Sequence, residues 1–224
     1  MQHYSVIIAA SGHGKRFESD TPKQYIRPLG KQSVLERCIQ SWRAVPGIKR
    51  IIVVVAPEAQ EQYVHPTGDD LLYVIGGAER AHSIQAGLEA LAEESEEHWV
   101  LVHDAARPIF DVRDVQQLME TTKDHSVGGI LVSPVKDTLR RINENNVCIT
   151  VPRNEYCLAV CPQLFRRKYL QQALSQALTQ NRVPSDEAQA IEWLNLPYLT
   201  VFARFYPNKI TYPEDIKLLP WGDI

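Results

Sequence analysis

The sequence predicts an α/β protein, Rossmann-like and doubly wound, with a mostly parallel sheet and a protruding β-hairpin arm. Three observations carry that expectation. Short apolar runs rich in β-branched residues alternate with stretches of helical period, which is the pattern of βαβ units. The runs are mostly apolar, as strands of a largely parallel, buried sheet are. One stretch, from Val135 to about Leu164, breaks that rhythm and alternates with no helical period.

Strands are expected at Ser5 to Ala9, Arg50 to Val55, Leu71 to Val74, Trp99 to Val102, Gly129 to Ser133 and Leu199 to Phe202. Ser33 with Glu36 three residues on makes a capping box, opening a helix through Trp42 that stops before Pro46 and Gly47. Ile84, Leu88 and Leu91 give the segment from Ala81 to about Glu94 one apolar face, and Val115, Leu118 and Met119 do the same for a helix opening at Asp111. Ser185, Asp186 and Glu187 place an N-cap and two acids ahead of "AQAIEWL", while Pro213, Glu214 and Asp215 open a last short helix. In the irregular stretch, "NENN" reads as a hairpin tip built from residues that tolerate positive φ. A projecting hairpin leaves strand edges unpaired unless another chain covers them. The expectation is one domain over 1–224, with 136–160 as an arm used in dimerisation.

Composition narrows the function. At 224 residues and 44% apolar content the chain can bury one substantial core. A net charge of −3 gives no global field that favours nucleic acid or an anionic membrane, so any anion site must be local. The first apolar run, Val6 to Ala10, lacks the basic flank and cleavage pattern of a signal peptide. No run approaches the roughly 20 apolar residues of a membrane span. The four cysteines show no metal-ligand spacing and are expected to be reduced packing thiols in a cytoplasmic protein. The chain ends soon after its last helix, and no fused downstream domain is expected.

The segment "IIAASGHGKRFESDTPKQY", residues 7–25, carries the local anion signal. It follows the first strand, and in an open α/β sheet ligands bind beyond the carboxyl ends of strands. Gly12 and Gly14 free the backbone to point N–H groups at an anion, and Arg16 and Lys23 add positive charge, the outline of a polyphosphate cradle. Lys15 reads as a rim charge. "GHGKRF" fails the Walker A spacing, and Phe17 stands where the dinucleotide fingerprint needs its third glycine.

The same segment resembles the signature loop of the nucleotidyltransferases and, within them, of the 2-C-methyl-D-erythritol 4-phosphate cytidylyltransferase family. "GGAERAHSIQAGL", "VHDAARP", "SPVKDTL", "VPRNEYCLAVCPQLF", "SDEAQAIE" and "KITYPEDI" resemble that family's further blocks, in its order. The resemblance implies a nucleotidyltransferase fold and transfer of CMP from CTP to a polyol phosphate, with Mg²⁺ or another divalent cation and release of pyrophosphate. It implies Arg16, Lys23 and Lys209 as the catalytic phosphate-binding cations. Ala10, Ser11, Gly12, Gly14, Gly77 and Ser83 would bind the nucleotide. Asp104 would orient substrate hydroxyls or sit near the metal, Arg107 would grip an acceptor group, and Thr138 and Arg153 on the arm would hold the acceptor phosphate. A homodimer through the arm would carry Arg153 into the partner's site. Two departures stand out: Ala78 where the family often has Asp or Asn, and Cys161 where Thr is usual. Ribitol-5-phosphate cytidylyltransferase shares fold, base and metal and is the nearest alternative, while a non-catalytic nucleotide sensor on this fold is the alternative of another class.

Overall fold

The structure, a computed structural model, describes residues 2–12, 14–17, 19–28, 32–59, 63, 68–205 and 209–219. Its main sheet has seven strands: β1 (Tyr4–Ala10), β2 (Ile48–Val55), β3 (Leu71–Ile75), β4 (Trp99–Asp104), β5 (Gly128–Pro134), β8 (Cys157–Arg166) and β9 (Leu199–Phe202), in spatial order β3-β2-β1-β4-β8-β5-β9. A separate two-stranded hairpin pairs β6 (Arg140–Ile142) with β7 (Cys148–Thr150). The helices are α1 (Val34–Arg43), α2 (Arg80–Glu89), α3 (Val112–Thr122), α4 (Arg167–Thr179) and α5 (Glu187–Trp193).

Within the main sheet the strands pair in parallel except β8, which runs antiparallel between β4 and β5. The continuous apolar runs have the expected cause: β1 and β4 are covered on both faces, and alternate residues enter opposite cores. Val6, Ile8, Val53 and Leu101 pack with Trp42 of α1 and Leu118 of α3. Ile7, Val54 and Val102 pack with Leu88 of α2, Leu170 of α4 and Ile191 of α5. A third cluster lies off the sheet, where Phe17, Val34, Ala106, Ile109, Ile210 and Leu219 join segments remote in sequence.

Local signals are realised closely. Ser33 Oγ accepts from the Glu36 amide and the Glu36 carboxylate accepts from the Ser33 amide, a complete capping box. Asp111 caps α3 and Asp186 caps α5. Asn146 at the hairpin tip has φ 58°.

Three expectations need correction. Residues 157–160, expected on the arm, lie in β8, where Val160 pairs with Leu131 and Cys157 with Pro134. A half-buried sheet strand alternates just as an arm strand does, so pattern alone does not separate them. Helix α4 was not expected. Its N-cap is Arg166, which makes no side-chain cap, so only the apolar stripe of Leu170, Ala173, Leu174 and Ala177 marks it. Finally, of the four free cysteines Cys38 is a buried packing thiol and Cys161 is half-buried, while Cys148 and Cys157 are exposed.

After β1 the chain winds outward through β2 to β3, then returns to place β4 on the other side of β1. The order reverses between β1 and β4, and a ligand crevice belongs beyond their carboxyl ends, at Ala10 and Asp104.

Helix α2 comes close to this central strand at Gly87, where an added Cβ would stand 2.7 Å from Ile7 Cγ2 and 3.1 Å from its Cδ1. Alanine would gain about 1 kcal/mol of helix propensity, but β1 is bracketed by β2 and β4 and cannot yield, and overpacking costs about 1–3 kcal/mol. Gly87→Ala is therefore expected to give a net stability loss of about 0–2 kcal/mol in urea denaturation, where helix propensity alone would give a gain.

Candidate active site

A cleft of about 560 Å³ opens at the expected reversal. Five segments wall it: Ala10, Ser11, Gly12, Gly14, Arg16, Lys23 and Gln24 after β1; Ala56 to Glu58 after β2; Gly76 to Arg80 between β3 and α2; Asp104 to Ala106 after β4; and Lys209.

The first loop is fixed from behind. Gly14 adopts φ 60°, and the turn that follows closes with Phe17 N–H donating to Gly14 O at 2.7 Å. Phe17 then enters the third apolar cluster, leaving Arg16 exposed on the cleft side. The buried Gln24 amide donates to Ala10 O at 2.8 Å and Gly12 O at 3.0 Å, occupying those carbonyls behind the loop. A Cβ at Gly12 would meet nothing within 4 Å, since that face opens into the cleft. The facing wall needs glycine for close approach: a Cβ at Gly76 would lie 2.6 Å from Ser83 Oγ and 2.9 Å from Val54 Cγ1.

Asp104 anchors the electrostatics. Lys209 Nζ donates to its Oδ2 at 2.7 Å, Arg80 Nε donates to its Oδ1 at 3.3 Å, and Arg107 Nε stands 4.0 Å from Oδ2. Burial opposes ionisation, but Arg80 and Lys209 outweigh it and hold the carboxyl well below the usual carboxylate range. Arg80 in turn holds Glu187 through both guanidinium nitrogens, with Nη2 to Oε2 at 3.1 Å. Lys23 Nζ donates to Ile210 O at 2.5 Å, and burial followed by the Lys209 charge brings its pKa down to about 8. Beside the site, burial pushes His103 down to about 4, so its neutral ring donates Nε2–H to Arg107 O at 2.8 Å. Burial, reinforced by Asp104, pushes the Cys161 thiol up to about 12.

The expected site residues thus separate into three groups. Ala10, Ser11, Gly12, Gly14, Arg16, Lys23, Gly77, Asp104 and Lys209 meet in one cleft. Ser83 and Arg107 stand behind its wall: Ser83 is fully buried with Oγ 2.8 Å from Ser11 Oγ, and Arg107 backs Asp104. Thr138 and Arg153 lie exposed on the arm, where Arg153 donates to Lys136 O. The Lys15 side chain lies outside the described residues.

Comparison with known proteins finds matches over nearly the whole chain. The family model for 2-C-methyl-D-erythritol 4-phosphate cytidylyltransferase matches residues 4–219. The chain belongs to this family. The enzyme of that name from Vibrio parahaemolyticus is 41% identical over 219 residues, covering 95% of this chain and 92% of the relative. The corresponding enzyme from Vibrio atlanticus is 37% identical over 97% of this chain and 94% of its own length. The crystal structure of the Francisella tularensis enzyme superposes with a TM-score of 0.83 at 29% identity, covering 97% of this chain and 98% of that one. Membership makes the chain a cytidylyltransferase of the non-mevalonate isoprenoid pathway, and the fold is the family's α/β nucleotidyltransferase fold.

Sequence reasoning missed Gln24, Arg80 and Glu187. Arg80 was visible inside "GGAERAHS", but nothing local distinguishes it from a solvated first-turn arginine. Among the described residues, no group of three His, Cys, Asp or Glu is placed to hold a metal ion. The donor set at the cleft is one deep carboxylate, Asp104, among several cations, with the exposed Glu58 and Glu79 also in the wall, which fits Mg²⁺ that is bound mainly through substrate phosphates. Among the described residues, no helix is long and apolar enough to cross a membrane.

Gln24→Leu removes both donations to the loop carbonyls. The Ala10 carbonyl is buried, and leaving it unmet costs about 1–3 kcal/mol, whereas Gly12 is exposed and water can replace the donor there. A stability loss in that range is expected in urea denaturation, with weakened nucleotide binding measured alongside by calorimetry.

Proposed function

We propose that the chain transfers CMP from CTP to 2-C-methyl-D-erythritol 4-phosphate, releasing pyrophosphate, with Arg16, Lys23 and Lys209 as its phosphate-binding cations. The observation that carries the assignment of roles is the convergence of these three side chains on one cleft, around an ionised and buried Asp104, in a chain matched to the family over residues 4–219. An oxygen of the acceptor phosphate attacks the α-phosphorus in line. The bond from that phosphorus to the bridging oxygen breaks, and its electron pair leaves with pyrophosphate. Negative charge crowds on the α-phosphate, so what accelerates the step is cationic charge already in place.

Arg16 and Lys23 receive the triphosphate, and Lys209, held by Asp104, faces the same phosphates. Ala10, Ser11, Gly12, Gly14 and Gly77 form a backbone-lined pocket for cytosine and ribose, with Ser83 setting the Ser11 hydroxyl from behind. When bound, Mg²⁺ would be held by the nucleotide phosphates and Asp104 and would supply charge neutralisation there. Thr138 and Arg153 serve the acceptor phosphate, and Arg107 supports the acceptor side of Asp104. Their exposure on the arm supports a homodimer in which the arm over about 136–156 delivers them to the partner's cleft. Ile142, Val147, Ile149 and Tyr156 are exposed there for a second copy to cover. The proposed location is the cytoplasm.

The assignment is tested by pyrophosphate release from the purified protein with CTP and Mg²⁺, supplied with methylerythritol 4-phosphate or ribitol 5-phosphate. Turnover of the first alone is expected, and Lys23→Ala should reduce it by about 10²–10³-fold. Turnover of ribitol phosphate instead would move the acceptor assignment, and silence with both would overturn the catalytic reading.

Lys23 also sets a pH limit. Its pKa of about 8 lies below the ordinary 10.5, so it is charged in the free enzyme below pH 8 and its share of triphosphate binding is complete there. Above pH 8 binding must first take up a proton, and CTP affinity should fall by up to about tenfold per pH unit until the pKa of the complex is reached. The folding sign is opposite: the free fold carries a desolvation cost below pH 8 that relaxes as pH rises from about 8 to 10.5. Calorimetric CTP titrations between pH 7 and 9.5 should show the limb in the wild type and lose it in Lys23→Arg.

A further inference from the structure

We propose that Glu187 is a positioning residue for cytidylyl transfer, acting through Arg80 and Asp104 to hold Lys209 in the cleft. Four alternating charges run from the core to the cleft. Glu187, 1% exposed, is the inner end, and its partner Arg80 is shared with Asp104. Asp104 accepts from Arg80 at Oδ1 and from Lys209 at Oδ2, with Arg107 farther off, 4.0 Å from Oδ2.

The geometry assigns Glu187 its role by what its removal releases. An Arg80 guanidinium freed from Glu187 presents its whole fork to the one remaining carboxylate, and a bidentate arginine pair takes both oxygens of Asp104. Lys209 would then lose the contact that fixes its ammonium, whose side chain is otherwise 38% exposed. Glu187 therefore limits Arg80 to one oxygen of Asp104.

Glu187 is itself fixed by the sheet. The Gln163 side chain on β8 accepts from the Ala188 amide at 2.8 Å and donates to Asp186 Oδ2 at 2.9 Å, which clamps the start of α5 on either side of residue 187. The N-capping contact of Asp186 to the Gln189 amide completes that turn. A buried carboxylate with a clamped backbone and a bidentate partner is an oriented group, as supporting residues behind active-site ligands are.

The proposal rests on the reading of Lys209 as a phosphate-binding cation, and its test separates the two. Steady-state kinetics with CTP, methylerythritol 4-phosphate and Mg²⁺ would be measured for the wild type, Glu187→Gln, Lys209→Gln and the double variant, with thermal unfolding to establish that each folds. Glu187→Gln is expected to lower kcat by about 10–100-fold, the range for supporting residues. In the Lys209→Gln background the same substitution should cost less than about twofold, because the group it positions is gone. Equal losses in both backgrounds would make Glu187 merely structural and overturn the proposal. A Glu187→Gln enzyme with wild-type kcat beside an impaired Lys209→Gln enzyme would also overturn it. Wild-type turnover by Lys209→Gln would instead defeat the assignment of Lys209 and the proposal with it. Where Glu187→Gln does not fold, Arg80→Lys serves, since an ammonium cannot span Glu187 and Asp104. The same non-additivity with Lys209 is expected, and full additivity overturns the proposal.

Discussion

The Asp104 carboxylate is the interaction from which the rest of the site is hung. It ends β4 at the point where the strand order reverses, and it is nearly out of contact with water. An ion in that position is costly unless it is paired and hydrogen-bonded. Its partners come from α2 and from the C-terminal segment, 24 and 105 residues away in sequence. Satisfying one carboxylate therefore brings the start of α2 and Lys209 to the end of the central strand, and the cleft is what those segments enclose.

Bringing Arg16, Lys23 and Lys209 into one cleft sets like charges against one another, and the pKa of Lys23 is lowered first by its burial and then by that crowding. The opposing force is apolar. Phe17 is adjacent to Arg16 and Ile210 is adjacent to Lys209, and both lie in the same small cluster with Ala106 from the turn after Asp104. Burial of these side chains, at about 1.5–3 kcal/mol for a large one, holds the cationic loops together without a ligand. The hydrogen bond from Lys23 to Ile210 O crosses the same junction. Charge is thus assembled by hydrophobic contacts one residue away from it.

Much of this was legible in the sequence, and the division follows the range of the forces. Strands covered on both faces write themselves as apolar runs, and the caps at Ser33 and Asp111 are made within three residues, so both are legible, whereas the cap of α5 is Asp186, one residue past the expected Ser185. Gly12, Gly14, Arg16 and Lys23 were legible because one loop carries them. Strand β8 was not, since its place between β4 and β5 depends on which edges are free after the other strands have paired. Glu187 was read as an acid favouring a helix N-terminus, a role it has the position for. Its burial against Arg80, 107 residues away, is a tertiary fact with no local trace.

The surroundings of Asp104 also bear on the kind of chemistry the cleft performs. Two groups there could in principle act as base or nucleophile, and the fold silences both. His103 is neutral, with Nε2–H committed to Arg107 O and its ring packed edge-on against Trp42. Cys161 is held as a thiol by burial and by the neighbouring carboxylate, and a thiol is a poor nucleophile. The Ser11 hydroxyl pairs with Ser83 Oγ, whose own proton is directed to Glu79 O at 3.2 Å, and no histidine joins the pair. In the proposed transfer the acceptor phosphate brings its own nucleophilic oxygen and, as a dianion, has no proton to lose. What it meets in the cleft is fixed positive charge, and charge is what a direct displacement at phosphorus requires.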